Sequence, residues 1–193
     1  MECDRHASSE PAIEQPAVQP RIYVASLSDY NNGVLHGDWI DATLGTDDIH
    51  ARIKRILATS PTTPEAEEFA VHDYEEFGEY RVGEYEPIER IHRIAAGINT
   101  HGPAYAAWAA RCDNESLDHF LDAYLGEYES GTAYAEQLLD DLGLQRIIDE
   151  HIPEYFQPYV TIDADAFARD LQQCGDIDIV EHERGVWIFD PNG

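Results

Sequence analysis

Between Cys112 and Gly193 the chain places twenty carboxylates and only three arginines, Arg146, Arg169 and Arg184. Fixed charges of one sign work against a compact state, and an ionised carboxylate is not buried without a partner. Most of these side chains must therefore face water, so this stretch has to fold with a large acidic surface. Either solvent and salt absorb the repulsion, or a cationic partner does. The imbalance is uneven along the chain. Residues 21–61 hold five acids against four bases, and residues 62–111 hold ten against four. Within the latter, "HDYEEFGEYRVGEYEPIE" (72–89) sets Asp73, Glu75, Glu76, Glu79, Glu84, Glu86 and Glu89 against one cation, Arg81.

Over 193 residues the net charge is −27, with 39 acids, 12 bases and Lys54 as the one lysine. This balance disfavours nucleic acid and anionic membrane as direct ligands, since both are polyanions that demand Lys and Arg. A hydrophobic content of 43% is still enough for a packed core. Cys3, Cys112 and Cys174 fall at unrelated spacings and define neither a disulfide framework nor a zinc motif. The first residues, "MECDRHASSE", lack an apolar signal region, and no run approaches a membrane span. A soluble protein of a reducing cytoplasm is expected.

Residues 1–20, polar and with three prolines, read as a flexible tail. "RIYVASL" (21–27) and "WIDA" (39–42) read as strands, with Asn32-Gly33 as a hairpin signal between them. "TDDIHARIKRILATS" fits a helix capped by Thr46, with Ile49, Ile53, Ile56 and Leu57 on one face. "EFAVHDYE" alternates like a strand. "PIERIHRIAAGINTHG" opens near Pro87 and stops at Gly102, and "PAYAAWAARC" is a second helix. From Asp113 onward the pattern is mostly helical, through "ESLDHFLDAYLGEY", "TAYAEQLLDDLG", "LQRIIDEHI" and "DADAFARDLQQCG" with Asp163 as cap. The chain closes on a hairpin around Arg184-Gly185. The class is α+β: a ββα-type first unit, then helical units ending in a β-hairpin.

On a continuous helix from Glu115, the carboxylates of Glu115, Asp118 and Asp122 share one face, while Leu117, Phe120, Leu121 and Tyr124 form the buried side. Glu127 and Glu129 lie in the following link, and Glu136, Asp140 and Asp141 continue the acids on the next helix. Together with Asp113 and with Asp73, Glu75, Glu76, Glu79, Glu84 and Glu86 of the middle segment, they form the candidate partner-binding surface. Duplex DNA carries one negative charge per roughly 1.7 Å of axis. At that density 27 net charges correspond to about 46 Å, or about 13 base pairs, and a two-fold dimer doubles the span. Such a layout along a line implies an elongated molecule. A salt-rich cytoplasm also selects acidic, lysine-poor chains, so a halophile-adapted structural or adaptor module is the alternative. The near-neutral first unit, residues 21–61, weighs against it.

No Walker loop, G-x-G-x-x-G, G-x-S-x-G or H-E-x-x-H occurs. "DIDIVEHE" and "DADAFARD" lack the central Gly and terminal Glu of an EF-hand loop. The nine histidines are scattered, and paired carboxylates are too abundant here to indicate glycosidase or nuclease chemistry. No catalytic residue, metal or cofactor is expected.

The segments "RIYVASLSDYNNGVLHGDWIDA" (21–42), "EEFAVHDYEEF" (67–77), "YLGEYES" (124–130), "YAEQLLDDLG" (134–143), "PYVTIDADAFARDL" (158–171) and "GVWIF" (185–189) together resemble the ArdA family of antirestriction proteins. The likeness runs in order over residues 21–189, leaving the first twenty outside. It implies a cytoplasmic protein that travels with mobile elements. It also implies an elongated homodimer of three small domains in a row, with boundaries here near residues 61 and 111. Such proteins inhibit type I restriction–modification enzymes by imitating bent B-form DNA. Their antirestriction motif best matches "LDAYLGEYESGTAY" (121–134), which carries Asp122, Glu127 and Glu129. The family has no catalytic residue to transfer.

Overall fold

The computed structural model describes residues 19–64 and 66–193. The expected tail thus lies almost wholly outside the described residues. The chain parts into two compact units after Ala106.

The first unit contains β1 (Arg21–Ser26), α1 (Leu27–Asn31), β2 (Gly37–Asp41), α2 (Thr46–Ala58), β3 (Phe69–Glu75) and α3 (Ile88–His101), with α4 (Pro103–Ala109) running across the division. β1 is the central strand of an antiparallel sheet ordered β2-β1-β3. Ile22 lies opposite Ile40 and Tyr74, and Val24 opposite Asp38 and Val71. Ile22, Val24 and Ile40 are buried, as are Ile49, Ile53, Ile56 and Leu57 of α2 and Ile88, Ile91, Ile94, Ala95 and Ile98 of α3. The apolar residues fall at i, i+4, i+7 and i+8 from Ile49 in α2 and at i, i+3, i+4 and i+7 from Ile91 in α3, each the spacing of one face. Burial of each isoleucine contributes about 1.5–3 kcal/mol before chain entropy is counted. β3, from the segment expected to be a separate middle domain, completes the sheet begun by β1 and β2.

Two local expectations change. β1 and β2 do pair, but α1 rather than a two-residue turn joins them. Ser26 caps α1 by accepting from the Asp29 N–H at 3.4 Å. Gly33, at φ 78°, serves the turn after that helix. In α2, Gly45 takes the N-cap position and Thr46 is the first helical residue.

The second unit begins with a 3-10 turn (Ser116–His119), followed by α5 (Phe120–Ala123), β4 (Tyr124–Tyr128), α6 (Gly131–Asp141), α7 (Leu144–His151), a 3-10 turn at Gln157–Tyr159, α8 (Ala164–Cys174), β5 (Asp178–His182) and β6 (Gly185–Phe189). The expected terminal hairpin is present, and β6 is the centre of a sheet ordered β4-β6-β5. On one face Val186 and Ile188 pack with Ile177, Tyr128, Tyr134, Leu171 and Ile179, which brings in α6 and α8. On the other, the Phe189 ring meets Trp108 at 5.7 Å, Tyr124 at 5.6 Å and Phe120 at 6.4 Å. Ser130 and Asp163 cap α6 and α8 by accepting from the N–H groups of Ala133 and Ala166.

The continuous helix expected from Glu115 to Tyr128 does not form. The 3-10 turn and α5 occupy its first half, and its second half is β4, held by antiparallel pairing with β6. The phase change turns Leu121 outward, 71% exposed, while Leu117 and Phe120 stay buried. Among the described residues, no helix is long and apolar enough to cross a membrane.

Candidate acidic interaction surface

Most of the expected carboxylates face solvent. Asp73, Glu75, Glu76, Glu79 and Glu84 are exposed in the first unit. Asp113, Glu115, Asp118, Asp122, Glu127, Glu129, Glu136, Asp140 and Asp141 are exposed in the second. Their settings differ.

Glu86 departs from the expectation. Its side chain is only 12% exposed. One oxygen accepts from Arg90 Nε at 3.0 Å and from the Tyr80 hydroxyl, and the other accepts from the Gly83 N–H at 2.9 Å. Burial pushes the Tyr80 phenol up, and the adjoining Glu86 carboxylate pushes it further. Glu86 is an internal anion that ties the loop after β3 to α3, not a free outward charge. The repeated Glu spacing hides this, because sequence does not reveal which acid meets an arginine one helical turn later.

In the same loop, Glu76 adopts a left-handed φ of 65° and Gly78 one of 56°. The reversal brings Phe77 into the core at 1% exposure while Glu75, Glu76 and Glu79 point away. Rings of Tyr74, Phe77 and Tyr80 follow one another at 5.9 Å and 6.5 Å. These aromatics anchor the loop under the carboxylates. Glu75 pairs with Arg21 at the surface, where such a pair is worth little. Asp73 turns an oxygen to the N–H of Tyr74.

In the second unit Asp113 organises the 3-10 turn, since its Oδ1 accepts from the Glu115 N–H, the Ser116 N–H and the Ser116 hydroxyl at 2.9–3.0 Å. Glu115, Asp118 and Asp122 do not share a regular helix face, because the turn type changes between them. Glu127 sits on β4 rather than in a link, with Oε1 3.5 Å from Nε2 of His182, whose ring stacks on Trp187. Glu136 and Asp140 stand one turn apart on α6, close enough to repel by a few tenths of a kcal/mol. Among the described residues, Asp122, Glu129, Glu136, Asp140 and Asp141 have no ion-pair partner.

The surface extends beyond the expected set. Asp149 and Glu150 on α7, Asp170 on α8, and Asp178, Glu181 and Glu183 on the hairpin are also exposed. Residue count alone signalled them, since all lie in the stretch with three arginines. Among the described residues, no group of three His, Cys, Asp or Glu side chains is arranged to hold a metal ion. What these exposed carboxylates supply is a field of fixed negative charge on a folded support.

A family model described as antirestriction protein (ArdA) matches residues 22–185. No curated protein matches the chain. The matched span runs from within β1 to the first residue of β6 and takes in nearly all of the acidic surface, and the family is of the inhibitor type, directed at restriction–modification enzymes. The chain therefore belongs to the ArdA family of antirestriction proteins.

Proposed function

We propose that the chain inhibits a type I restriction–modification enzyme by standing in for DNA. As a homodimer, it occupies the DNA-binding groove of the methyltransferase core and competes with duplex for it. One observation carries this reading: the exposed carboxylates of Asp122, Glu129, Glu136, Asp140 and Asp141, none with an ion-pair partner among the described residues. Neighbouring anions on one helix repel by a few tenths of a kcal/mol per pair, a cost that a cationic partner relieves. A groove built for phosphates supplies the missing cations. Binding there releases counterions as DNA binding does, which makes it competitive and salt-sensitive. Carboxylates fixed by folding also avoid the cost of bending a duplex, of order 1–6 kcal/mol or more.

The test is co-sedimentation of the protein, a methyltransferase core and a labelled duplex. The expected result is a protein–enzyme complex of dimer stoichiometry from which duplex is excluded. A ternary complex containing all three rules out competition.

A further inference from the structure

Helix α2 presents three cations that the acidic surface does not explain. Arg52, Lys54 and Arg55 are all exposed. Arg52 and Lys54 make no hydrogen bond or ion pair with any described residue, and Arg55 reaches only the carbonyl of Ala51 on its own helix, at 3.4 Å. In a chain with 39 acids and 12 bases, cations left unpaired on one helix are unexpected. Arg55 in the last turn suits the helix dipole. That accounts for one cation, not three.

Two of the three line one cavity. Arg52 and Arg55, one turn apart, line a cleft of about 300 Å³ between α2 and β2, an edge strand of the first sheet. Ile40 and Ile56 contribute apolar lining. His36 Nε2 lies 2.8 Å from the Ile56 carbonyl, which only accepts, so this nitrogen carries a proton and pins the ring at the end of α2. Thr59, whose hydroxyl lies 3.3 Å from the same nitrogen, completes that end. Asp38 is the one acid in the lining, and its Oδ1 is engaged by the N–H of Trp39 at 2.9 Å.

We propose that this cleft is an oxyanion site for a small phosphorylated ligand. Two arginines lining one cavity carry the charge to match a dianion, and the planar fork of a guanidinium suits phosphate oxygens. The isoleucine lining suits an organic body attached to the phosphate, and the volume lies at the lower end of small-ligand pockets. Nucleic acid is the poorer fit, because a chain of charge −27 repels a polyanion while a single phosphate stays under local control. The site is independent of the acidic surface, so the two readings stand or fall separately.

The test is amide-resolved NMR titration of the full chain, in phosphate-free buffer at low salt, with inorganic phosphate and with phenyl phosphate. Saturable shifts confined to His36, Gly37, Thr59 and the last two turns of α2 are expected, weakened about tenfold or more in Arg52→Gln/Arg55→Gln. An unchanged melting temperature in that variant separates lost binding from lost folding. Tighter binding of the ester assigns an organic phosphate, and equal binding assigns free phosphate; either supports the site. Absence of saturable shifts, equal binding by the double variant, or a duplex DNA bound through these arginines would overturn it.

Discussion

Thr62 closes the first unit onto Asp29. Its backbone N–H, at 3.2 Å, and its hydroxyl both donate to Asp29 Oδ1, which also accepts from the Ser60 hydroxyl at 2.7 Å. Asp29 is fully enclosed, at 0% exposure. Enclosure raises its pKa, but the hydrogen bonds from Thr62, Ser60 and Ser26 outweigh it and hold the carboxyl down at about 2. The segment after α2 is thereby fastened to α1.

The pH consequence follows from the sign of that shift. A carboxyl whose folded pKa is depressed contributes stability that is present above the unfolded value, about 4, and lost as pH falls toward 2. Asp29→Asn should lower the melting temperature at pH 7. The gap from the parent should stay constant down to about pH 5 and narrow between about pH 4 and pH 2. A gap that does not change across that window would contradict the role of the charged form.

Glu86 and the exposed acids should respond in opposite ways to neutralisation. Glu86→Gln removes the charge that Arg90 and the Tyr80 hydroxyl share, and should destabilise by about 1–3 kcal/mol in denaturant titration. The raised Tyr80 phenol adds stability that is full below its ordinary value near 10 and lost as pH climbs through the folded value. Tyr80→Phe should therefore soften the loss of stability above about pH 10.

Amide replacement of Asp122, Glu129, Glu136 and Asp140 together should leave the fold intact and relieve repulsion. The same variant should inhibit restriction less. Its salt dependence of binding should be shallower by about one logarithmic unit for each removed charge that faces the groove. An unfolded variant would show that these acids have structural duties. A folded one with unchanged inhibition would place the contact elsewhere.

Raising salt from about 0.01 M to about 1 M contracts the screening length from about 30 Å to about 3 Å. Thermal melts should be cooperative throughout and shift upward with salt, because repulsion among the carboxylates is what salt removes. Cooperative melting confined to molar salt would favour the halophile-adapted alternative.

The helices with one clean apolar stripe were legible in the sequence, namely α2, α3 and α8, as was the β5–β6 hairpin, because local periodicity decides them. β4 was not. Leu117, Phe120, Leu121 and Tyr124 carry a helical spacing, yet pairing with β6, some sixty residues downstream, overrides it. The exposure of the acidic surface was readable from charge count, since unpaired carboxylates must face water. The exceptions, Asp29 and Glu86, depend on donors brought from Thr62, Ser60, Tyr80 and Arg90 by the turns of the fold. The α2 cleft was invisible for the same reason: β2 and α2 meet only in three dimensions.

Competition between this protein and a duplex for a type I methyltransferase core, titrated at about 50 mM and about 200 mM salt, tests DNA mimicry most directly. Mimicry predicts full displacement of the duplex at the lower salt and an apparent affinity that falls steeply at the higher. Simultaneous binding of duplex and protein, or an affinity indifferent to salt, would contradict it.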